Sequence, residues 1–187
     1  ILRQTPDILA ITEVQDRGVA NLLFKVASEC LVIAILDSSD STGVLNWLSE
    51  MRIPPTTVAS ILKGIMAQRL IGRVCQHCKT PYEKEWKLPD NVRGLFPEKL
   101  VFYKGQGCSE CQQTGFSGME GIFELMLIKD AIKELIEAEA PSKIIRDEAV
   151  KDGMQTLREV GIRKAMEGTV EVGEVLDVTY QGSDIRF

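Results

Sequence analysis

Positive charge is not in surplus in this chain: 22 lysines and arginines stand against 27 aspartates and glutamates, a net charge of −5. Holding a phosphate backbone needs a basic face, so this balance argues against a mainly electrostatic nucleic-acid binder. Nor is there an apolar run approaching the roughly 20 residues that a membrane span requires, and no secretory leader is visible. The dipeptide Gly-Lys occurs nowhere, which rules out a Gly-x-x-x-x-Gly-Lys-Ser/Thr phosphate loop within these 187 residues. Internal repeats and low-complexity tracts are absent too. The sequence opens at Ile1-Leu2-Arg3 without an initiator Met and reads as a piece that begins inside a domain.

What is present is ordinary for a globular protein: 44% hydrophobic and 26% charged residues. The length suffices for one medium domain and a small one. The feature around which the chain is organised is a cysteine quartet, Cys75-Gln76-His77-Cys78 and Cys108-Ser109-Glu110-Cys111. A Cys-x-x-Cys turn aims two thiolates at one point, and two such turns facing each other complete a tetrahedral shell. That is the ligand set of a closed structural zinc site, which staples a fold and does not activate water. A redox dithiol and a pair of disulfides are the alternatives; a thioredoxin-like motif needs only one Cys-x-x-Cys, so the spacing favours zinc. His77, the sole histidine, lies inside the first pair and could stand in for one thiolate. Cys30 is left over and reads as a buried free thiol, in keeping with a reducing cytosol. The segment between the pairs, from Pro81 to Gly107, carries too little apolar surface for its own core and depends on the metal.

Before the quartet, Ile8-Leu9-Ala10-Ile11 and Leu31-Val32-Ile33-Ala34-Ile35-Leu36 are continuous apolar runs of the kind that form strands buried on both faces. Between them, Val19, Leu22, Leu23, Val26 and Ala27 recur at helical spacing from Asp16 to Glu29. Strand, helix, strand is a βαβ unit with parallel strands and a right-handed crossover. Both strands then end on one sheet edge, where open α/β folds bind ligands, and they deliver Glu13 and Asp37 there. Asp7, at the other end of the first strand, is roughly 20 Å away and cannot share that site.

Helices are expected from Thr42 to about Met51 and from Thr56 to about Leu70, the second carrying Val58, Ile61, Leu62, Ile65 and Met66. The stretch from Gly115 to Gly121 reads as a series of turns, and Ile122-Phe123-Glu124-Leu125 as a strand. Helices follow over 130–138, 142–152, 154–167 and 171–180. Ser142 is the expected N-cap of the second of these, and Gly153 and Gly168 the expected residues just past the ends of the second and third.

The order of motifs resembles the C-terminal half of the bacterial type II secretion and type IV pilus assembly ATPases, over nearly the whole chain. Leu2-Arg3-Gln4-Thr5-Pro6-Asp7 through Glu13 to Asp16 is similar to that family's Walker B segment. Ala67-Gln68-Arg69-Leu70 to Cys78 and Gly118 to Leu125 match the stretches around its tetracysteine loop. Gly153-Met154-Gln155-Thr156-Leu157-Arg158-Glu159 and Gly168 to Thr179 match its C-terminal pattern. The resemblance implies an α/β fold: part of a RecA-like, P-loop NTPase-type parallel sheet over residues 1–70, a tetracysteine zinc subdomain over 71–125, and a helical C-terminal subdomain over 126–187. It implies a hexameric motor, cytoplasmic and peripheral to the inner membrane, that works on platform proteins of the secretion or pilus machinery and not on nucleic acid. Glu13 takes the catalytic position, with Asp16 and Asp37 at nucleotide-binding positions. Structural Zn²⁺ is the implied cofactor of this part, with ATP and Mg²⁺ belonging to the full-length protein.

The chain also departs from that pattern. Thr12 stands where relatives have Gly, Gln15 where they have Arg, and Asp37 where they have the His of a Thr-Leu-His-Thr-Asn-Asp box. Basic residues expected at Ser117 and Met119 are gone. A histidine can donate towards a γ-phosphate, whereas an ionised carboxylate cannot, and it repels the phosphate. At about 4 Å and an effective dielectric of about 20, like charges cost about 4 kcal/mol. Two functions follow: a motor ATPase whose nucleotide site is weakened, or a non-catalytic, zinc-stabilised assembly or regulatory module of the same machinery.

Overall fold

The computed structural model describes residues 6–14, 16–82, 96 and 100–179. The chain divides into two compact units, each assembled from two separate stretches: 1–67 with 125–154, and 68–124 with 155–187.

The first unit is built on the anticipated βαβ motif. Strand β1 (Ile8–Ile11) pairs in parallel with β2 (Leu31–Ala34), Ile8 opposite Leu31 and Ile11 opposite Ala34. Helix α1 (Arg17–Val26) connects them, started by Asp16, whose carboxylate accepts the Val19 N–H at 2.9 Å. Alternation along the strands decides what meets the core. Leu9, Ile11, Val32 and Leu36 pack against buried Leu23, Leu45, Leu48 and Val58. The expected burial of both faces is not found: Ile8, Leu31, Ile33 and Ile35 are 53–60% exposed, because among the described residues the helices cover only one side of this sheet.

Helix α2 (Ser41–Glu50) is capped by Asp40, and α3 (Pro55–Ile61) starts on a proline, which supplies the right φ and has no N–H to satisfy. The helix expected to reach Leu70 ends at Ile61. Residues from Gly64 onward form strand β3 (Gly64–Val74), where Ile65, Ala67, Ile71 and Val74 are buried. β3 pairs with β6 (Phe116–Leu127). The change of unit falls inside both strands, between Ala67 and Gln68 and between Glu124 and Leu125. The stretch expected to be turns from Gly115 to Gly121 is therefore mostly the first half of β6. Gly115, just before the strand, and Gly118 within it keep a turn-like backbone, at φ +79° and +80°.

Helices α4 (Asp130–Glu137) and α5 (Ser142–Lys151) complete the first unit. Ser142 is not the N-cap of α5. Pro141 holds that position, and the Ser142 hydroxyl is bonded to the Asn46 side chain of α2. Gly153, at φ +101°, ends α5 in the left-handed conformation anticipated for it.

The second unit contains β4 (Lys79–Tyr82) and β5 (Phe102–Gly105), antiparallel with Lys79 opposite Gly105, together with helices α6 (Leu157–Met166) and α7 (Val172–Val178). A reciprocal box between Thr156 and Glu159 starts α6. Its first turn also receives Glu124, 2% exposed, whose carboxylate accepts the Leu157 N–H at 3.2 Å. A helix N-terminus favours negative charge, which helps to offset the burial. Arg158 turns the other way and donates to the Thr179 carbonyl at 2.5 Å. Helices α4 and α5 thus belong to the first unit and α6 and α7 to the second. Trp86, within the long stretch between the cysteine pairs, lies outside the described residues.

Candidate metal centre and sheet edge

Four thiols converge in the second unit. Cys75 and Cys78 sit on the turn between β3 and β4, and Cys108 and Cys111 on the turns after β5. Sulfur–sulfur distances are 3.8 Å for Cys75–Cys108, 3.7 Å for Cys108–Cys111 and 3.9 Å for Cys78–Cys111, and all four sulfurs lie within 4.8 Å of one another. A regular tetrahedron with metal–sulfur bonds of about 2.3 Å has edges of about 3.8 Å. A disulfide needs about 2.05 Å, and all five cysteines are free. The donor set therefore fits a four-coordinate thiophilic metal ion. His77 is exposed and stands outside the sulfur group.

The surroundings prepare these sulfurs unequally. Burial pushes the Cys111 thiol up, but the N–H groups of Cys108 and Gly115, each 3.2 Å from its sulfur, outweigh that and bring it down to about 6. Burial pushes Cys78 up to about 11, with the Gly107 N–H only partly opposing it. Of these two, Cys111 is thus the readier thiolate, and Cys78 requires a cation's charge to lose its proton. The cradle depends on two glycines. A Cβ on Gly105 would lie 2.0 Å from the Gly115 carbonyl oxygen, and Gly115 itself has φ +79°. That close approach leaves the Gly115 carbonyl free to accept the Cys75 N–H at 2.9 Å.

The second candidate site is the C-terminal edge of β1 and β2, in the first unit. The ladder runs on to the edge, the Ile35 N–H donating to the Ile11 carbonyl at 2.9 Å. Glu13 and Asp37 leave the sheet there, two residues past Ile11 and three past Ala34, and both are exposed. Asp16 is engaged as the α1 cap.

Sequence reasoning missed the network behind this edge. Asp40, 7% exposed, accepts the Gly43 N–H at 2.9 Å and the Thr42 hydroxyl at 2.8 Å through one oxygen. Its other oxygen accepts from the guanidinium of Arg146 on α5 at 2.6 Å, and the same Arg146 nitrogen donates to Thr42 Oγ1 at 2.7 Å. Burial raises the Asp40 carboxyl, but the Gly43 N–H, Arg146 and Thr42 outweigh it and hold it below its ordinary value. Asp before Ser-Thr-Gly was a legible helix start. Nothing near Arg146 in sequence announces its partner.

Comparison with known proteins gives these sites their setting. The family model described as type II/IV secretion system protein matches residues 1–177. Relatives include the type IV pilus assembly ATPase TfpB of Acinetobacter baylyi, 35% identical over 95% of this chain and 31% of its own length. Another is the type II secretion system ATPase E of Vibrio cholerae, 33% identical over 96% of this chain and 36% of its own. The chain thus spans about a third of the length of these relatives. Among solved structures, the pilus retraction motor PilT with bound ADP superposes with a TM-score of 0.65 at 15% identity, over 98% of this chain and 43% of that one. The Yersinia pseudotuberculosis ATPase DotB gives 0.62 at 14%, over 95% and 38%. No helix among the described residues is long and apolar enough to cross a membrane. With an α/β ATPase fold and a match along almost its whole length, the chain belongs to the type II/IV secretion system protein family.

Proposed function

We propose that this chain is the C-terminal part of a motor ATPase for type II secretion or type IV pilus assembly, its first unit a portion of a RecA-like domain. The observation that carries the reading is the family match over residues 1–177, on a parallel βαβ unit whose outgoing edge bears Glu13 and Asp37. In the full-length protein Glu13 would polarise the water that attacks the γ-phosphorus as the bond to ADP breaks, or would help to hold Mg²⁺, which would neutralise charge on the phosphates. Asp37 faces the phosphate in place of a donor and weakens the site. Asp16 acts at a distance, by fixing the start of α1.

The cysteine centre holds one structural Zn²⁺ through Cys75, Cys78, Cys108 and Cys111, all four positions filled by sulfur, so it orders the turns around β4 and β5 and takes no part in hydrolysis. The working assembly is a hexamer in the cytoplasm, docked on inner-membrane platform proteins, with the zinc-bearing unit and the helices after Asp130 as contact surfaces. The specific observation favouring a non-catalytic module instead is the carboxylate of Asp37.

Steady-state ATPase assays on the full-length protein separate the two readings. Weak turnover, abolished in Glu13→Gln and equal or raised in Asp37→His, supports a weakened motor. No turnover in wild type or Asp37→His supports the module. Robust turnover abolished by Asp37→His refutes the weakened site and gives Asp37 a catalytic role. This chain alone, lacking a Gly-Lys phosphate loop, is expected to bind ATP poorly and hydrolyse none.

A further inference from the structure

The loop that carries Asp37 from β2 to α2 is not held by its neighbours in sequence alone. Its far end is Asp40, and a helix cap needs only one carboxylate oxygen, which here serves Gly43 and Thr42. The other oxygen is committed to Arg146, which lies 106 residues further along the chain and is itself largely buried, its side chain 22% exposed. The Arg146 nitrogen that reaches Asp40 also reaches Thr42, so the guanidinium grips both the cap and the first turn of α2. Such a pair, mostly withdrawn from water, is costly to half-remove, because the surviving carboxylate is left buried without a counter-charge. Other ion pairs of this unit, among them Lys129–Asp152, Lys133–Asp130 and Lys151–Glu148, lie on the surface and hold no part of the loop.

We infer that Arg146 is a positioning residue for the nucleotide edge: acting through Asp40 and Thr42, it fixes the β2–α2 loop and with it the place of Asp37. The inference rests on the functional reading above, since only a nucleotide at the edge makes the loop's position matter for turnover. Arg146 itself touches no nucleotide. α5, which contributes nothing to the sheet, thereby gains a hold on the loop, and a shift of α5 moves the loop with it.

The test uses the full-length protein with Arg146→Gln, Arg146→Lys, Asp40→Asn and the double variant Arg146→Gln/Asp40→Asn. Asn keeps the cap but loses the charge. Lys129→Ala, which breaks an exposed ion pair of the same unit, is the control. Turnover and backbone amide exchange over residues 37–43 are measured together. Arg146→Gln is expected to speed exchange in that window at least about tenfold and, by releasing the repelling Asp37 from its fixed place, to raise kcat about threefold to tenfold, a fraction of the like-charge cost. Asp40→Asn should do the same, the double variant no more, and Arg146→Lys should return both part of the way to wild type. Lys129→Ala should change neither. If Arg146→Gln lowers the melting temperature yet leaves loop exchange and kcat unchanged, or if Lys129→Ala moves them equally, the inference is overturned. A wild type without ATPase activity refutes the functional reading, and loop exchange then decides the positioning claim by itself.

Discussion

Gly161 sits in the middle of α6, where alanine is worth about 1 kcal/mol more than glycine by helix propensity alone. The structure predicts the opposite sign for Gly161→Ala. The added Cβ would meet Val175 Cγ1 at 2.4 Å and Cγ2 at 3.2 Å, against an optimal carbon–carbon separation of about 3.5–4.0 Å. Val175 cannot swing aside easily: it is fully buried on α7, and a β-branched side chain in a helix has one strongly preferred rotamer. Ile162 and Ala165 beside the contact are fully buried too, so α6 and α7 have to move apart. A 2.4 Å approach falls in the upper part of the overpacking range, about 2–3 kcal/mol, and less the propensity gain the net loss is about 1–2 kcal/mol. Thermal melting of the metal-loaded protein should register it as a drop of roughly 2–8 °C. The decisive arm is Val175→Ala. In that background the obstructing methyls are gone, so Gly161→Ala should turn neutral or stabilising, with a coupling of at least about 1 kcal/mol between the two positions. An equal effect of Gly161→Ala in both backgrounds, or a higher melting temperature in the first, would refute the packing argument.

Purified protein should contain one equivalent of zinc; chelation, or Cys111→Ser, should remove it and lower the protection of amides in residues 102–116, while Cys30→Ser leaves the zinc content unchanged. Metal content well below one equivalent in a protein indifferent to chelator would sink the metal centre. Glu171→Gln should stabilise the protein at pH 7. Burial and the neighbouring Glu174 charge raise the Glu171 carboxyl above its ordinary 4.5, with Lys104 partly opposing. Its contribution is therefore most favourable below that value and is lost as pH rises through the folded-state pKa. The gain from glutamine should fade in melts near pH 4; a gain independent of pH would contradict the assignment.

What the sequence disclosed and what it hid divide by range. The convergence of the four sulfurs was legible because a Cys-x-x-Cys turn sets its own geometry within four residues, and pairing two such turns is the only long-range step required. The βαβ unit was legible because a change from a continuous apolar run to helical spacing and back is read locally. The β3 region was misread for the same reason. Val58, Ile61, Leu62, Ile65 and Met66 fit a helical period, yet Ile65, Ala67 and Ile71 also fit the alternation of a strand. What decides is β6, some fifty residues further on, with Gly64 packed beside the Met126 carbonyl and the Lys63 carbonyl accepting the Ile128 N–H at 3.0 Å. A partner that distant leaves no mark on the local pattern, and tertiary pairing overrides the local period.

Charged residues follow the same rule, which bears on where function can hide. Glu13 and Asp37 could be placed at the sheet edge because strand direction alone carries them there. Arg146 reads as one more basic residue of a solvated helix, and its side chain is instead turned onto Asp40 across the tertiary fold. Glu124 and Arg158 read as ordinary strand and helix charges and are both buried, one on the first turn of α6 and the other on Thr179. In each case the burial of a charge is offset by a partner at least 21 residues away in sequence. Unpaired, such groups would not be buried at all, so each marks a place where the fold depends on a contact distant in sequence. Of the three, only the pair formed by Arg146 reaches the loop that bears a proposed nucleotide-site residue, and for that reason α5 is where a change remote from the sheet edge should be felt in turnover.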